Sequence, residues 1–292
     1  MKLRLYLIAL LFFVAFPYRS LAQEPSPVPV VFSAMGCGPY NADAETALER
    51  FIKLENEEMK SSFLIHCGDI VTGKKVDWPE SQYVRVADLL SANNKIPTFI
   101  VPGDNEWNDQ VDPDRHWGYW EKHFLNFDEK WTLGSEWKVE RQTVRSENFA
   151  FIKQDVLFIG INKVGGKVHD ATEWKTRLKQ DTEWISDLLT RYGSQCHSTV
   201  IFAQASPGVK FPSFRKEMMA PIKKYGKPVL YLHADGHKWI YEPDLSVTNF
   251  TRLQIDLLNA KFPPVQVTVT GNPAEPFTFD RRLDKQKWIP TP

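Results

Sequence analysis

Acidic and imidazole side chains recur in three short segments of this 292-residue chain. Asp69 and Asp104 each follow a glycine, and Asp235 lies between His233 and His237. Carboxylate oxygens and imidazole nitrogens are ligands that Mn, Fe and Zn accept in proteins. Several carboxylates that converge in one crevice raise one another's pKa values unless a cation neutralises them. The three segments therefore predict a divalent-metal site, provided that the fold brings them together.

Each segment also has an ordinary structural interpretation. A Gly-Asp pair at the end of a strand is often a turn or a helix N-cap. His233 ends a predicted strand and is either a metal ligand or a hydrogen-bond donor to a ligand, whereas His66 lies inside another predicted strand and is interpreted as a core residue. Three such segments at successive strand ends favour the metal site over three unrelated turns.

Apolar runs precede the two Gly-Asp pairs. Three predicted buried strands span Val28 to Ala34, Ser62 to Cys67 and Pro97 to Val101. The residues between them have helical spacing from Asp43 to Met59 and from Tyr83 to Leu90. Strands that alternate with helices imply βαβ units and a parallel sheet. Because ligands bind beyond the carboxyl ends of such strands, both Gly-Asp carboxylates should lie at a ligand-binding edge.

The second half of the chain adds further strands. The sequence predicts a hairpin with Gln154 and Asp155 at its turn. It also predicts a long helix from Thr172 to Tyr192 and a β-rich part from Trp239 onward. The predicted strands are Phe149 to Lys153, Val156 to Ile161, Thr199 to Ala203, Pro228 to His233, Thr251 to Asp256 and Val265 to Thr270. This order predicts an α/β fold with two packed mixed β-sheets flanked by helices. We expect one domain over residues 23–292, with an aromatic-rich insertion at about 108–147.

The N-terminus has the features of a signal peptide over residues 1–22. Lys2 and Arg4 precede an apolar run, and Ser20 and Ala22 have the spacing that signal peptidase recognises. The apolar run is short for a transmembrane helix, and an uncleaved anchor is the alternative. We therefore expect an exported protein, periplasmic or secreted, with no further segment that is apolar enough to cross a membrane.

The overall charge argues against one class of partner. The chain has 36 basic and 36 acidic residues, so its formal net charge is zero. Proteins that bind nucleic acids usually carry a basic excess or a basic stripe. We therefore expect no nucleic-acid-binding patch.

The chemistry-bearing segments also resemble the motifs of a known family. They read Gly36-Cys37-Gly38-Pro39-Tyr40, Gly68-Asp69-Ile70, Gly103-Asp104-Asn105-Glu106-Trp107 and Ala234-Asp235-Gly236-His237. These motifs are similar to those of the calcineurin-like metallophosphoesterases, and most similar to an exported bacterial branch with a Gly-Asp-Asn-Glu-Trp motif. The resemblance covers about residue 28 to the C-terminus and implies a four-layer sandwich. It also implies a phosphorylated small molecule or another phosphate mono- or diester as substrate, and one or two divalent ions (Mn, Fe or Zn) as cofactor.

Residue by residue, the resemblance assigns roles to this chain. Asp69 matches the carboxylate that bridges two metals, and Asp104 stands where the family has the Asn that binds the second metal. Asn105 stands where the family's catalytic His contacts the phosphate. In the last motif Asp235 replaces the first His, and His237 matches the second.

Two positions depart from the family pattern. Cys37 stands where the first motif has an aspartate, and a thiolate is a softer ligand that suits Zn or Fe. The family's His before Pro is replaced by Gln204 and Ala205, of which Gln204 could offer an oxygen and Ala205 nothing. Further candidates for contacts with a ligand or the substrate are Glu106, Gln204, Arg115 and His116, although a solvated, Trp-packed insertion is the alternative for the last two.

Cys37 and Cys67 suggest a second hypothesis for the same edge. Both lie near the ends of strands that would be neighbours, and in an oxidising compartment they would bond if their Cα atoms came within ~7 Å. The alternative is one buried thiol beside a free one.

Three functions remain open from the sequence. The first is a metal-dependent hydrolase of phosphate mono- or diesters with a partly degenerate metal site. The second is a catalytically silent relative that keeps the fold as a binding or structural protein. The third is a single-metal or altered-metal enzyme in which Cys37 selects Zn or Fe.

Overall fold

The computed structural model describes residues 27–73 and 76–283. The expected signal peptide, residues 1–22, lies outside these ranges. Within them, no helix combines the length and the apolar character that a membrane crossing requires.

Twelve strands of the described residues form two mixed sheets, as the sequence predicts. The first sheet has the order β12-β11-β1-β2-β3, and the second has the order β4-β5-β6-β7-β8-β10-β9. The first sheet contains β1 (Val30–Met35), β2 (Leu64–His66), β3 (Thr98–Ile100), β11 (Val265–Val269) and β12 (Phe277–Asp280). The second contains β4 (Glu140–Gln142), β5 (Arg145–Lys153), β6 (Val156–Gly160), β7 (Ser198–Phe202), β8 (Val229–His233), β9 (Ile240–Pro243) and β10 (Phe250–Gln254).

Helices cover the outer face of each sheet. They are α1 (Ala42–Glu58), α2 (Glu80–Ser91), α3 (Pro113–Phe124), α4 (Ala171–Tyr192) and α5 (Pro212–Tyr225). The first three pack on the first sheet, and α4 and α5 pack on the second. The four layers confirm the predicted fold class, although α5 was not anticipated from the sequence.

The two sheets meet through a core rich in phenylalanine. Phe32 and Phe63 from the first sheet region stack at 5.0 Å between ring centroids, and Phe63 meets Phe158 of β6 edge-on at 5.1 Å. The strands that line this core are nearly continuous in apolar residues because they are buried on both faces. The core therefore holds the two sheets face to face, and the ends of their strands lie side by side.

Parallel pairing gives several strands the same direction. β1, β2 and β3 are mutually parallel, as are β6, β7, β8 and β10. The predicted hairpin between β5 and β6 is confirmed: Gln154 and Asp155 both have positive φ, which suits a tight turn between twisted strands. The segment at about 108–147 contributes α3, a 3₁₀ turn (Phe127–Lys130) and β4, and buries Trp120 and Phe124 against the first sheet's helices.

A buried ion pair joins the segment that follows β12 to α1. Arg282 donates from Nη2 to Glu55 Oε2 at 2.8 Å and from Nη1 to Ser33 Oγ at 3.0 Å. Glu55 also accepts from the backbone N–H of Ser61 at 3.0 Å. Since both charged side chains are almost fully buried, either one alone would be an uncompensated charge inside the protein.

We expect Arg282→Met to lower the free energy of unfolding by about 3–5 kcal/mol, because it leaves the buried Glu55 carboxylate without its guanidinium. Arg85→Met is the matched control, since Arg85 pairs with Glu45 on the surface and should cost about 1 kcal/mol or less. Urea denaturation of both variants measures the difference. Equal losses in the two variants would contradict a dominant role for the buried pair.

Candidate metal centre

The residues singled out by the sequence follow the ends of parallel strands. Cys37 comes after β1, Asp69 after β2, and Asp104 after β3, while Gln204 follows β7 and Asp235 follows β8. Ligand atoms of Asp69, Asp104 and Asp235 all lie within 4.8 Å of one another. Carboxylates from the two sheets therefore meet at one edge of the sandwich.

Two groups of potential metal ligands share one carboxylate. Cys37, Asp69 and His237 form the first group, with ligand atoms within 4.8 Å of one another. Asp69, Asp104 and Asp235 form the second. The structure thus brings together all five residues, and Asp69 stands between the two groups.

The backbone that presents these side chains is unusual. Cys37 has φ 53°, Asp69 has φ 64° and His237 has φ 60°, all in the left-handed region that residues with a Cβ seldom occupy. Two backbone hydrogen bonds join the first two loops: Cys37 N–H donates to Gly68 O at 2.9 Å, and Gly38 N–H donates to Asp69 O at 2.8 Å. Such backbone strain concentrates at ligand-binding sites, where surrounding structure holds it in place.

Asp69 accepts hydrogen bonds on both carboxylate oxygens. The backbone N–H of Asn105 donates to Oδ1 at 3.2 Å. The side-chain amide of Gln204 donates to Oδ2 at 3.1 Å, and the Cys37 thiol donates to the same oxygen at 3.4 Å. The carboxylate is therefore held from three sides by donors of this chain.

Gln204 connects the two sheets at this edge. Its Nε2 also donates to Asp104 Oδ1 at 3.2 Å, while its Oε1 accepts from Gly165 N–H at 2.7 Å. Its backbone carbonyl accepts from the N–H groups of Ala234 and Asp235, both at 3.0 Å. Gln204, which the sequence predicts to contact a ligand or the substrate, therefore contacts every carboxylate segment of the site.

Burial and mutual repulsion make the carboxylates reluctant to ionise together. Burial, reinforced by Glu106, raises the pKa of Asp69 to about 7, and burial with Asp69 raises the pKa of Asp104 well above its usual range. Burial also raises the pKa of Asp235 and, together with Asp69, that of the Cys37 thiol. A cation bound here would displace protons and stabilise the ionised forms. The donor set of carboxylate, thiol and imidazole groups thus fits a divalent ion.

Glu106 holds the backbone of Asp69 and Gly103 through hydrogen bonds to its carboxylate. Its Oε1 accepts from the backbone N–H groups of Asp69, at 3.2 Å, and of Gly103. Its Oε2 is buried and has no hydrogen-bond partner among the described residues, and burial raises the pKa of Glu106 to about 7. The side chain fixes the backbone of the two Gly-Asp segments relative to each other.

Arg115 and His116 belong to neither group of ligand atoms within the described residues. His116 is fully buried, with Nδ1 2.7 Å from the hydroxyl of Tyr83 and Nε2 2.9 Å from Asp77. Arg115 pairs with the same aspartate on the surface. Since the Tyr83 hydroxyl donates to Glu106 O, this chain of contacts supports the third motif from outside the centre.

His233 and His66 are also placed away from the ligand groups in the described part of the chain. His233 is buried in β8 with Nε2 3.5 Å from Arg252, and burial, with a contribution from that guanidinium, lowers its pKa to about 3. His66 is buried in β2, with Nε2 2.7 Å from Gly38 O, so the structure makes it a core residue.

The disulfide hypothesis is wrong. Cys37, Cys67 and Cys196 are all buried free thiols. The Cys37 sulfur donates to the Asp69 carboxylate instead of bonding to Cys67, which keeps the thiol available to the site.

Sequence reasoning missed Tyr40 as a member of the site. Its hydroxyl accepts from Asn105 Nδ2 at 3.4 Å, and its ring centroid lies 6.4 Å from that of His237. Tyr40 and Asn105 are half-buried, and His237 is exposed, so the centre opens to solvent between these three side chains. The position of Tyr40 at the end of the first motif was the available signal.

Sequence reasoning also missed Gly165 and Gly166. A Cβ added to Gly165 would lie 2.8 Å from Asp235 Oδ2, and one added to Gly166 would lie 2.7 Å from Asp104 Oδ2. The backbone of this segment therefore packs directly on the carboxylates. Two consecutive glycines after a predicted strand are a signal of such close approach.

Comparisons with known proteins agree with this architecture. The profile of the family described as calcineurin-like phosphoesterase matches residues 39–239. No curated protein matches the chain significantly.

Two solved structures share the fold. A dimetal phosphatase from Danio rerio aligns with a TM-score of 0.55 and 11% sequence identity over 82% of this chain and 91% of its own. GAP50, the anchor in the inner membrane complex of Plasmodium, aligns with a TM-score of 0.53 and 10% identity over 87% of this chain and 88% of its own. At these identities the likeness concerns the fold alone.

We expect Gly103→Ala to disrupt the centre, because the new Cβ would overlap the backbone nitrogen and carboxylate of Asp69. Overpacking of this kind costs about 1–3 kcal/mol and should also weaken metal binding. Gly118→Ala is the control: it lies in the middle of α3, where the new Cβ meets nothing within 4 Å apart from its chain neighbours and the backbone of α3, and should raise stability by about 0.5–1 kcal/mol. Thermal unfolding and metal content measure both effects, and unchanged metal binding in Gly103→Ala would contradict the tight packing.

Proposed function

The chain belongs to the calcineurin-like phosphoesterase family, and we propose that it is a metal-dependent hydrolase of phosphate esters. The observation that carries this proposal is the position of Asp69, whose carboxylate lies within 4.8 Å of ligand atoms from both groups. Family membership implies phosphate-ester substrates and divalent cations. We propose that the reaction takes place in an exported compartment, as the N-terminal sequence indicates.

A divalent cation would be held by residues of the two ligand groups, which are Cys37, Asp69, His237, Asp104 and Asp235. A bound cation supplies positive charge that stabilises the phosphoryl oxygens of a substrate. The chain's own contribution is to preorganise the anionic ligands, because Glu106 fixes the backbone at Asp69 before any ligand arrives.

Asn105 and Tyr40 lie on the solvent side of the centre, where a phosphate group would enter. The Asn105 amide and the Tyr40 hydroxyl would each donate a hydrogen bond to a phosphoryl oxygen. Asn105 replaces the family's histidine, and a neutral amide carries no proton that it can transfer to a leaving group. We therefore propose that this residue orients the phosphate and leaves leaving-group protonation to other donors.

A catalytically silent role is the second candidate. The Gln204 amide donates hydrogen bonds to Asp69 and Asp104, so these two carboxylates have partners even when no metal is bound. The fold itself is compatible with such a role, because it occurs in GAP50, which is described as an anchor. Metal-dependent hydrolysis separates the two candidates.

Hydrolysis of p-nitrophenyl phosphate and bis-p-nitrophenyl phosphate tests the proposal on the purified chain, stripped of metal and reloaded with Mn, Fe or Zn. We expect metal-dependent turnover that Asp69→Asn reduces by about 100-fold or more, since it removes the shared ligand. Asp187→Asn on the exposed side of α4 is the matched control and should retain full activity. Equal rates in wild type and Asp69→Asn, or a metal-loaded chain that hydrolyses neither ester, would favour the silent role.

The neutral amide of Asn105 predicts a strong dependence on the leaving group. We expect nitrophenyl esters, whose leaving groups are stable as anions, to react much faster than alkyl phosphates. Asn105→His should restore a proton donor and raise the rate on alkyl phosphates by about 10-fold or more relative to nitrophenyl esters. A variant that changes both rates by the same factor would show that Asn105 acts without regard to the leaving group.

A further inference from the structure

The side-chain amide of Gln204 lies between two carboxylates of the centre. Nε2 donates to Asp69 Oδ2 at 3.1 Å and to Asp104 Oδ1 at 3.2 Å, so each of its two N–H bonds has a partner. An amide –NH₂ group has donors and no acceptor, so it cannot itself bind a metal through nitrogen in this orientation. It gives the two anions the same kind of contact that a cation would give them.

The orientation of this amide is set by the backbone. Gly165 N–H donates to Gln204 Oε1 at 2.7 Å. A turned amide would place Oε1 against two carboxylate oxygens and Nε2 against the Gly165 N–H, which loses three hydrogen bonds at a fully buried site. A second cation would have to displace the amide or reverse it against this preference.

The glycine segment packs against the opposite side of the same carboxylates. A Cβ at Gly165 would lie 2.8 Å from Asp235 Oδ2 and 3.0 Å from Asp104 Oδ2, and a Cβ at Gly166 would lie 2.7 Å from Asp104 Oδ2. The backbone of this segment therefore packs close to Asp104 Oδ2 and Asp235 Oδ2 and narrows the space beside them.

A buried lysine also interacts electrostatically with the carboxylates on this side. Lys163 is fully buried, with Nζ donating to Val164 O at 2.9 Å. Burial, with the nearby Arg177, lowers the pKa of Lys163 to about 7, while Asp235 and Asp104 favour its charged form.

The group of Cys37, Asp69 and His237 has the opposite character. It offers a sulfur, an oxygen and a nitrogen ligand, and His237 is exposed to solvent. Three protein ligands with one open position are typical of catalytic zinc sites. The Cys37 sulfur lies 3.4 Å from Asp69 Oδ2, which is close enough for both atoms to contact one ion.

We propose that the centre holds one exchangeable divalent cation, bound by Cys37, Asp69 and His237, and that the amide of Gln204 takes the place of a second cation beside Asp104. This inference deepens the proposed hydrolase function and rests on it for its role in catalysis. The thiolate ligand makes Zn the preferred ion among Mn, Fe and Zn.

The test measures metal stoichiometry and ligand identity in the same sample. The metal-free chain is titrated with Zn²⁺ or Co²⁺, desalted, and analysed by element-resolved mass spectrometry. Co²⁺ also reports thiolate ligation through a near-ultraviolet sulfur-to-cobalt charge-transfer band. We expect about one ion per chain in wild type, with the band present, and loss of the band in Cys37→Ser.

A matched pair of variants locates the ion. His237→Ala should weaken metal affinity by at least about tenfold, whereas His123→Ala, which removes an imidazole that contacts Glu80 outside the centre, should leave one ion per chain and an unchanged band. Gln204→Glu keeps the side-chain shape but replaces the –NH₂ group by an oxygen beside two carboxylates, so it should raise the stoichiometry toward two. Near-ultraviolet circular dichroism confirms that each variant is folded.

The outcomes separate this inference from the proposed function. Two ions per wild-type chain, or one ion without the charge-transfer band, would overturn the single-cation site and leave phosphoester hydrolysis intact. One ion with the band but no hydrolysis of any ester would support the site and overturn the proposed function. A folded chain that binds no ion would overturn both.

Discussion

The repulsion among Asp69, Asp104 and Asp235 is the constraint on which the rest of this edge depends. Three carboxylates with ligand atoms within 4.8 Å, all largely removed from water, cannot ionise together without compensation. Several groups at the edge supply part of that compensation. Backbone N–H groups and the Gln204 amide donate hydrogen bonds from the protein, and a bound cation would act from the crevice.

The same constraint explains the unusual backbone around the site. Carboxylates converge only if their loops turn sharply at the strand ends, and Cys37 and Asp69 do so in the left-handed region. The chain then passes close to the carboxylates at Gly103, Gly165 and Gly166, because these residues have no Cβ to clash with the carboxylate oxygens. The large aromatic core between the sheets, to which Cys37 belongs, stabilises the fold that holds this strained geometry in place.

The two sides of the centre carry different chemical groups, whereas a symmetric pair of metal positions would carry similar ligands on both sides. The side of Cys37 and His237 offers soft and exposed ligands, whereas the side of Asp104 is occupied by an amide and covered by glycine backbone. An imidazole at position 204 would offer a lone pair to a cation, but the amide oriented by Gly165 offers N–H donors to anions. A single replacement thus changes which species the pocket stabilises without changing the fold that forms it.

Local patterns in the sequence determined much of this protein. Alternating apolar runs and helical spacing predicted the strands, the helices and the hairpin turn at Gln154, because these features depend on neighbours within a few residues. The order of the elements then predicted the two packed sheets. Gly-Asp pairs at strand ends predicted that carboxylates would converge, since parallel strands end at a common edge.

The tertiary structure alone decided how the converging residues are used. Gln204 reaches Asp69 across 135 positions and Asp104 across 100, so its orientation is set by contacts that no local pattern encodes. Arg115 and His116, close in sequence to the third motif, turn instead toward Asp77. Cys37 contacts a carboxylate and not Cys67. The sequence determined which groups come together; their hydrogen-bond partners depend on distances of a few tenths of an ångström, which only the packed fold sets.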